Sequence, residues 1–264
     1  MNIIAIDIGN TNITVGFFLG DIEKKIVKVA GDDQAKLAEV LADFWEQTPI
    51  LASSKENKRN GAFVVASVKP AWTEAVRDIV KVQLGEKILE VGRDKDIPLP
   101  MTLAVDEPEK VGVDRVMLAW AAYTVVGDVV AVADVGTAVT VDLVDEDGTF
   151  LGGTIFPGFT IATKAISEGA TALPNIEKIV EPKKPFGTNT AEAINNGIYY
   201  TTVGAIEVIF RMYADELGKW PQTIVTGGNM EIIKDGCTFV DNFVANLVVK
   251  GIVLTYKKYL EEKA

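Results

Sequence analysis

The chain contains no histidine and only one cysteine, Cys237, in 264 residues. The first absence excludes a Ser-His-Asp triad, a histidine-ligated zinc and an imidazole general base. The second excludes an internal disulfide and any multi-cysteine metal site. Acid–base chemistry in this protein therefore falls to carboxylate, Lys, Tyr or Cys. No apolar run reaches the ~18 residues needed to span a bilayer. The start passes straight into a strand pattern, with no basic region and no cleavage site. Positive charge is in short supply, with 26 Lys and Arg against 37 Asp and Glu and a net charge of −11. A general nucleic-acid binder needs clustered cations for phosphate contacts. The longest basic stretch, Lys55 to Arg59, is broken by Glu56 and Asn57 and reads as a solvated loop. The expectation is a soluble cytoplasmic protein with no nucleic-acid or membrane partner.

What is present is an α/β pattern that runs twice. Residues 3–8, 13–19 and 22–29 read as three strands, the first closed by Gly9. Gln34 to Gln47 carries Leu37, Val40, Leu41 and Phe44 at helical spacing. Ala62 to Val68 is a strand, and Pro70 opens a helix to about Leu84, since proline suits a first helical turn. In the second half Val129 to Val135 is a strand closed by Gly136. Val139 to Val144 and Phe150 to Phe156 follow it, joined by an Asp147-Gly148 hairpin turn. Helices are expected at about Thr160–Ala172, Asn189–Glu216 and Val240–Glu261, with a strand from Thr223 to Thr226 ended by Gly227-Gly228. Asp7-Ile-Gly-Asn-Thr and Asp134-Val-Gly-Thr-Ala occupy equivalent places in the two halves. An internal duplication explains this most economically.

A strand that ends in Asp-x-Gly-x-Thr makes a tight turn with outward N–H groups. Such a turn cradles anionic oxygens, and its Asp can hold a cation directly or through water. The same residue types also build ordinary hairpin turns. Asn10, Thr11 and Asn12 add donors suited to phosphate. Two such turns facing each other across a cleft would accept a polyphosphate and its metal. Glycines at 227 and 228 would let a flat ligand lie against the backbone. Two other nucleotide motifs are missing, Gly-x4-Gly-Lys-[Ser/Thr] and Gly-x-Gly-x-x-Gly.

The helix expected around 109–126 carries the sharpest chemical clue. Val111, Asp114, Leu118, Ala121, Ala122 and Val125 share one face at 100° per residue. A carboxylate in an apolar stripe is costly to bury. It either pairs with a neighbour such as Arg115 or serves as a general base at the mouth of a site. Val116 and Trp120 fall on the opposite face, so coverage of both sides hints at a subunit interface.

Together Asp7-Ile-Gly-Asn-Thr-Asn, Gly112-Val-Asp-Arg115, Asp134-Val-Gly-Thr-Ala138, Gly152-Gly-x3-Pro157-Gly158, Asn189-Thr190 and Thr226-Gly-Gly228 resemble, in this order, the type III pantothenate kinases. The likeness spans nearly the whole chain. It implies the duplicated ribonuclease-H-like core of the actin/sugar-kinase/Hsp70 superfamily, with two similar mixed-sheet halves and ATP in the cleft. The halves would be 1–110 and 111–264, with the terminal helix able to pack back on the first. The implied activity is ATP-dependent phosphorylation of pantothenate, the first step of coenzyme A synthesis. Alternatives are a kinase for another small hydroxyl compound and a non-catalytic regulatory paralogue.

Carried over by position, the resemblance makes Asp114 the general base. Asp7, Ile8, Gly9, Asn10, Thr11, Asn12, Ile13 and Thr14 become the first phosphate loop, and Thr137, Gly227 and Gly228 further ATP contacts. Val105, Gly112, Val113, Asp114, Arg115 and Thr190 become the acceptor site. Asp134 would take a monovalent cation, K⁺ or NH₄⁺, and Asp7 a divalent metal, Mg²⁺ with ATP, possibly through water. Family members are typically cytoplasmic homodimers. Val105 stands where many members carry a Tyr, and Glu107 where Asn is common.

Overall fold

The computed structural model describes residues 1–52, 58–170 and 172–264, so most of the basic stretch from Lys55 lies outside the described residues. Arg59, at its end, donates to the carbonyls of Glu46 and Thr48. The chain divides into two compact units. One comprises residues 1–102, 106–121 and 246–264, the other 103–105 and 122–245.

The first unit is built on β1 (Asn2–Ile8), β2 (Asn12–Leu19), β3 (Ile22–Ala30), β4 (Gly61–Ser67) and β5 (Ile88–Glu90), in sheet order β3-β2-β1-β4-β5. β1 runs antiparallel to β2 and parallel to β4. Ile4, Ile6 and Ile8 point to one face of the sheet, where they meet α1 (Gln34–Gln47) and α2 (Pro70–Leu84) in a closed apolar core. α1 starts where Asp33 accepts the Lys36 N–H, and its Leu37, Val40, Leu41 and Phe44 are all buried. Asp7, one residue out of phase with that isoleucine series, belongs to the other face of β1, because strand side chains alternate.

α3 (Val113–Val126) begins in the first unit and ends in the second. The helix expected from 109 is broken. Pro108–Lys110 form a single 3-10 turn, and the α-helix starts only after Gly112. The one-face reading of α3 also needs correcting. Val116, Met117, Leu118, Ala119, Ala121 and Ala122 are all buried, whereas Val125 is 77% exposed. The chain itself covers the helix on several sides, so its coverage is no sign of a subunit contact.

In the second unit β6 (Val130–Val135), β7 (Ala138–Val144), β8 (Phe150–Pro157), β9 (Gln222–Thr226) and β10 (Asn242–Phe243) have the order β10-β9-β6-β7-β8. Read from the other edge, this is the arrangement of the first sheet, with β6 in the place of β1. The duplication inferred from the two Asp-x-Gly stretches is thus a duplication of topology. Ala131, Ala133 and Val135 join the core closed by α4 (Phe159–Gly169) and α5 (Thr190–Leu217), so Asp134 belongs to the other face of β6.

α6 (Met230–Ile233) is a single turn after β9. The helix expected from 240 starts later, as α7 (Leu247–Lys263). The residues before it form β10, held by the Asp241 carboxylate accepting the Thr223 N–H, and Asn246 adopts φ 57° ahead of the helix. α7 belongs to the first unit and packs on β1, β2 and β4. Among the described residues no helix is long and apolar enough to cross a membrane.

Candidate active site

In the first unit the candidate residues gather at the carboxyl ends of β1 and β4, where open α/β sheets place their ligands. Asp7 is the penultimate residue of β1, paired across the sheet with Thr14 on β2 and Ala66 on β4. Gly9 donates its N–H to the Asn12 carbonyl at 3.0 Å, which closes the turn 9–12. Ile8 and Ile13 are buried beneath it, while Asn10 and Thr11 are exposed. The turn is fixed from outside as well. Val68 N–H donates to the Ile8 carbonyl at 3.0 Å, and Gly31 N–H to the Thr11 carbonyl at 3.2 Å.

The Gly112-Val-Asp-Arg115 stretch comes to the same sheet end. A Cβ on Gly112 would lie 3.6 Å from Cγ1 of Val68 and would overlap Oδ1 of Asp114. Glycine leaves open the space into which the Asp114 carboxylate folds back. Asp114 sits in the first turn of α3, where its Oδ1 accepts the Arg115 backbone N–H at 2.8 Å. Burial pushes its carboxyl above the ordinary range, against the opposing pull of that N–H and of the Arg115 charge. A carboxylate with raised basicity and an oxygen held in place is what a general base at neutral pH needs. Glu107, placed by sequence near the acceptor, forms an ion pair with Lys110, so its charge is locally balanced.

In the second unit Asp134 holds the place of Asp7, paired with Thr140 on β7 and Thr226 on β9. The turn 136–138 is one residue shorter than its counterpart, with Gly136 N–H donating to the Ala138 carbonyl at 3.2 Å. Two glycines let other backbone close on it. Gly227, at φ +101°, has no room for a Cβ, which would overlap the Asp134 carboxylate and lie 2.5 Å from the Val135 nitrogen. A Cβ on Gly158 would collide with the carbonyls of Gly136 and Thr137. Asn229 N–H then donates to the Val135 carbonyl at 3.0 Å. Asp134, Thr137 and the Gly227-Gly228 turn are thus brought together as one cluster.

Val105 lies on the second unit, its Cγ1 3.5 Å from where a Gly152 Cβ would be, beside the Leu103–Phe150 bridge. Thr190 opens α5. Asn189 caps that helix by accepting the Glu192 N–H, while the Glu192 carboxylate accepts from the Thr188 N–H and hydroxyl. Those Thr188 bonds draw the Glu192 carboxyl below its usual range. Thr190 helps line an apolar groove of about 930 Å³, with Phe156, Ile166, Ala193, Ile194 and Ile198.

Sequence reasoning did not pick out Lys69 and Trp72 beside the first turn, or Asn229 beside the second. Lys69 stands between a strand end and Pro70, a place no motif marks. Cys237 is buried, which pushes its thiol up to about 12 and removes it as a nucleophile.

The family profile described as type III pantothenate kinase matches residues 3–212. A type III pantothenate kinase from Moorella thermoacetica is 33% identical over 97% of this chain and 99% of its own. One from Agathobacter rectalis is 34% identical over 97% of each. Among solved structures, a protein described as a Baf family transcriptional activator from Campylobacter jejuni superposes with a TM-score of 0.56 at 20% identity, over 99% of this chain and all of that one. MreB 5 of Spiroplasma citri, solved with AMPPNP, gives 0.51 at 12% identity, over 100% and 99%. These two likenesses are of fold, and they place the duplicated sheets in the actin/sugar-kinase/Hsp70 class. With matching sequence along almost its whole length and the duplicated fold beneath it, the chain belongs to the type III pantothenate kinase family.

Proposed function

We propose that this protein transfers the γ-phosphoryl group of ATP to the hydroxyl of pantothenate, the first step of coenzyme A synthesis, with Asp114 as the general base. The observation that carries the assignment of the base is the environment of Asp114. It is a carboxylate of raised basicity, held by one backbone N–H, in a chain with no histidine. In the reaction the acceptor oxygen bonds to the γ-phosphorus as the bond to the ADP oxygen breaks. The hydroxyl proton passes to the Asp114 carboxylate. Phosphoryl transfer otherwise asks for positioning and charge neutralisation. Arg115 and the backbone at Gly112 and Val113 hold the acceptor, together with Val105 and Thr190.

The turn from Asp7 to Thr14 binds phosphate oxygens, and Thr137 with Gly227 and Gly228 binds further parts of ATP. A divalent metal accompanies ATP in this kinase family. Among the described residues no three acidic or thiol side chains gather into a metal cluster. One carboxylate plus phosphate oxygens is nonetheless the donor set Mg²⁺ commonly takes, and Asp7 fits it, directly or through water. The metal's contribution is neutralisation of phosphate charge. Asp134, flanked by two threonines, suits a monovalent cation such as K⁺ or NH₄⁺.

A cytoplasmic homodimer completes the reading. Support for the dimer comes from α5, where Val208 and Met212, one turn apart on the same face, are both exposed apolar side chains. A non-catalytic role is not favoured, since the relatives that match the whole chain bear the kinase name.

The test is ATP consumption by the purified protein with Mg²⁺ and K⁺, with and without pantothenate, and product mass as the readout. Pantothenate-dependent turnover giving 4′-phosphopantothenate supports the reading. ATP binding without turnover moves the acceptor assignment elsewhere.

A further inference from the structure

The first turn has an electrostatic problem that its own residues do not solve. From Met1 to Thr14 there is no Lys or Arg, and Asp7 adds a negative charge in a chain already at −11. A polyphosphate bound there needs positive charge from elsewhere. Among the described residues Lys69 meets the turn directly, with its Nζ 3.3 Å from the Asn10 carbonyl oxygen.

This lysine is also held by its surroundings. Its ammonium lies over the Trp72 ring, 3.3 Å from the centroid, a cation–π arrangement that restrains a flexible side chain. The Trp72 ring is fixed in turn, because it occupies the space where a Gly31 Cβ would be. Gly31 is the residue whose N–H holds the Thr11 carbonyl of the same turn. The backbone at Lys69 is pinned too, with its N–H on Ser67 Oγ, which also accepts from the Thr73 hydroxyl. One small network therefore sets the turn and the cation together. A lysine with three donors can keep the Asn10 carbonyl and still offer N–H groups to an anion.

The geometry points to Lys69 as a phosphate-binding residue of the ATP site, a counter-charge for the β- and γ-phosphates carried on the Trp72 ring. This rests on reading the turn 9–12 as a phosphate turn. The charge that a Gly-x4-Gly-Lys loop carries within itself is here brought in from the end of β4.

Calorimetric titration of adenosine, AMP, ADP and ATP, each with Mg²⁺, into the wild type and Lys69→Met tests it. The expected result is a loss that grows with phosphate number, nil for adenosine and about 10- to 100-fold for ATP, the range of a charged hydrogen bond. Lys69→Arg restores most of the ATP affinity, since the charge returns. Unchanged ATP affinity in Lys69→Met overturns the inference, and so does an equal loss for adenosine and ATP, which marks a purely structural pin. Asp7→Ala is titrated alongside. If it loses ATP affinity while Lys69→Met does not, the phosphate-turn reading stands and the lysine alone is excluded. If neither variant loses affinity, the turn reading itself falls.

Discussion

Replacing Asp114 by Asn removes a charge and little else. The Asn Oδ1 can still accept the Arg115 N–H now held at 2.8 Å, and the amide fits the space that Gly112 leaves open. Turnover should then fall by about 10²–10⁴, the usual contribution of a general base, or ~3–5 kcal/mol of barrier. Stability moves the other way. In the unfolded chain the Asp114 carboxyl ionises at the ordinary value, while in the fold burial raises it. Between those two pH values the folded protein binds more protons than the unfolded one. Its stability therefore falls as pH rises through that window and stays lowered above it. Asn escapes this penalty and gives up only the attraction of Arg115. The variant should be at least as stable as the wild type at pH 7. The wild-type acid limb of kcat/KM, set by the raised carboxyl, should vanish along with most of the rate. The assays are steady-state kinetics across pH 4–8 and thermal melting. Near-normal turnover in Asp114→Asn would refute the assignment of the base, and a large fall in melting temperature would refute the view that the carboxylate is a net cost to the fold.

Three other variants separate the roles of the surrounding residues. Gly112→Ala should displace the Asp114 carboxylate, the flexible partner in the overlap. It should lower kcat about tenfold or more through misplacement of the base, with the melting temperature near wild type by calorimetry. Asp7→Ala should weaken Mg²⁺–ATP binding more than pantothenate binding, as titration of each ligand would show. Gly251→Ala should destabilise the fold by about 1–3 kcal/mol or more, as overpacking does, because its Cβ would overlap the Met117 carbonyl. The Met117 atoms met are backbone and the added Cβ is fixed rigidly to the α7 backbone, so no side-chain rotation relieves the overlap, and urea unfolding measures the loss.

The parts of the fold legible in the sequence were those where one local signal acts alone. α1 and α2 match their expected spans, since the apolar period and the Pro70 start agree with tertiary need. The order of the strands around both Asp-x-Gly turns was legible for the same reason. Misreadings fell where a long-range partner decides. β10 reads as part of a helix, yet pairing with β9 and the Asp241–Thr223 bond take it into the sheet. β5 has only three residues, too few for a period. On α3 the apolar stripe suggested one buried face, but packing covers most of the helix. At the site, glycines flagged the turns and Gly-x-Asp-Arg flagged Asp114. Lys69 and Trp72 stayed hidden because their value comes from Gly31 and Asn10, distant in sequence.

A carboxylate kept more basic than its ordinary state is disfavoured where it sits, so something else must hold it there. α3 divides that task along its length. Its first turn carries Asp114, with Gly112 giving the carboxylate room. Its next turn, from Val116 to Ala119, is almost wholly buried. Gly251 lets the α7 backbone approach Met117 closely, and the Thr255 hydroxyl lies 3.3 Å from the Met117 sulfur. Packing of that kind contributes whether or not Asp114 is charged, so it can offset the electrostatic cost without changing the basicity it creates. The same separation holds at the first turn, where the Gly31 and Val68 N–H groups fix the backbone at Thr11 and Ile8 while Asn10 and Thr11 stay at the surface. In both places apolar and backbone contacts supply most of the rigidity, so it does not depend on the charge state of Asp114. On the roles proposed for Asp114 and the turn 9–12, this is how a chain without histidine presents a base and a phosphate turn at the end of one sheet.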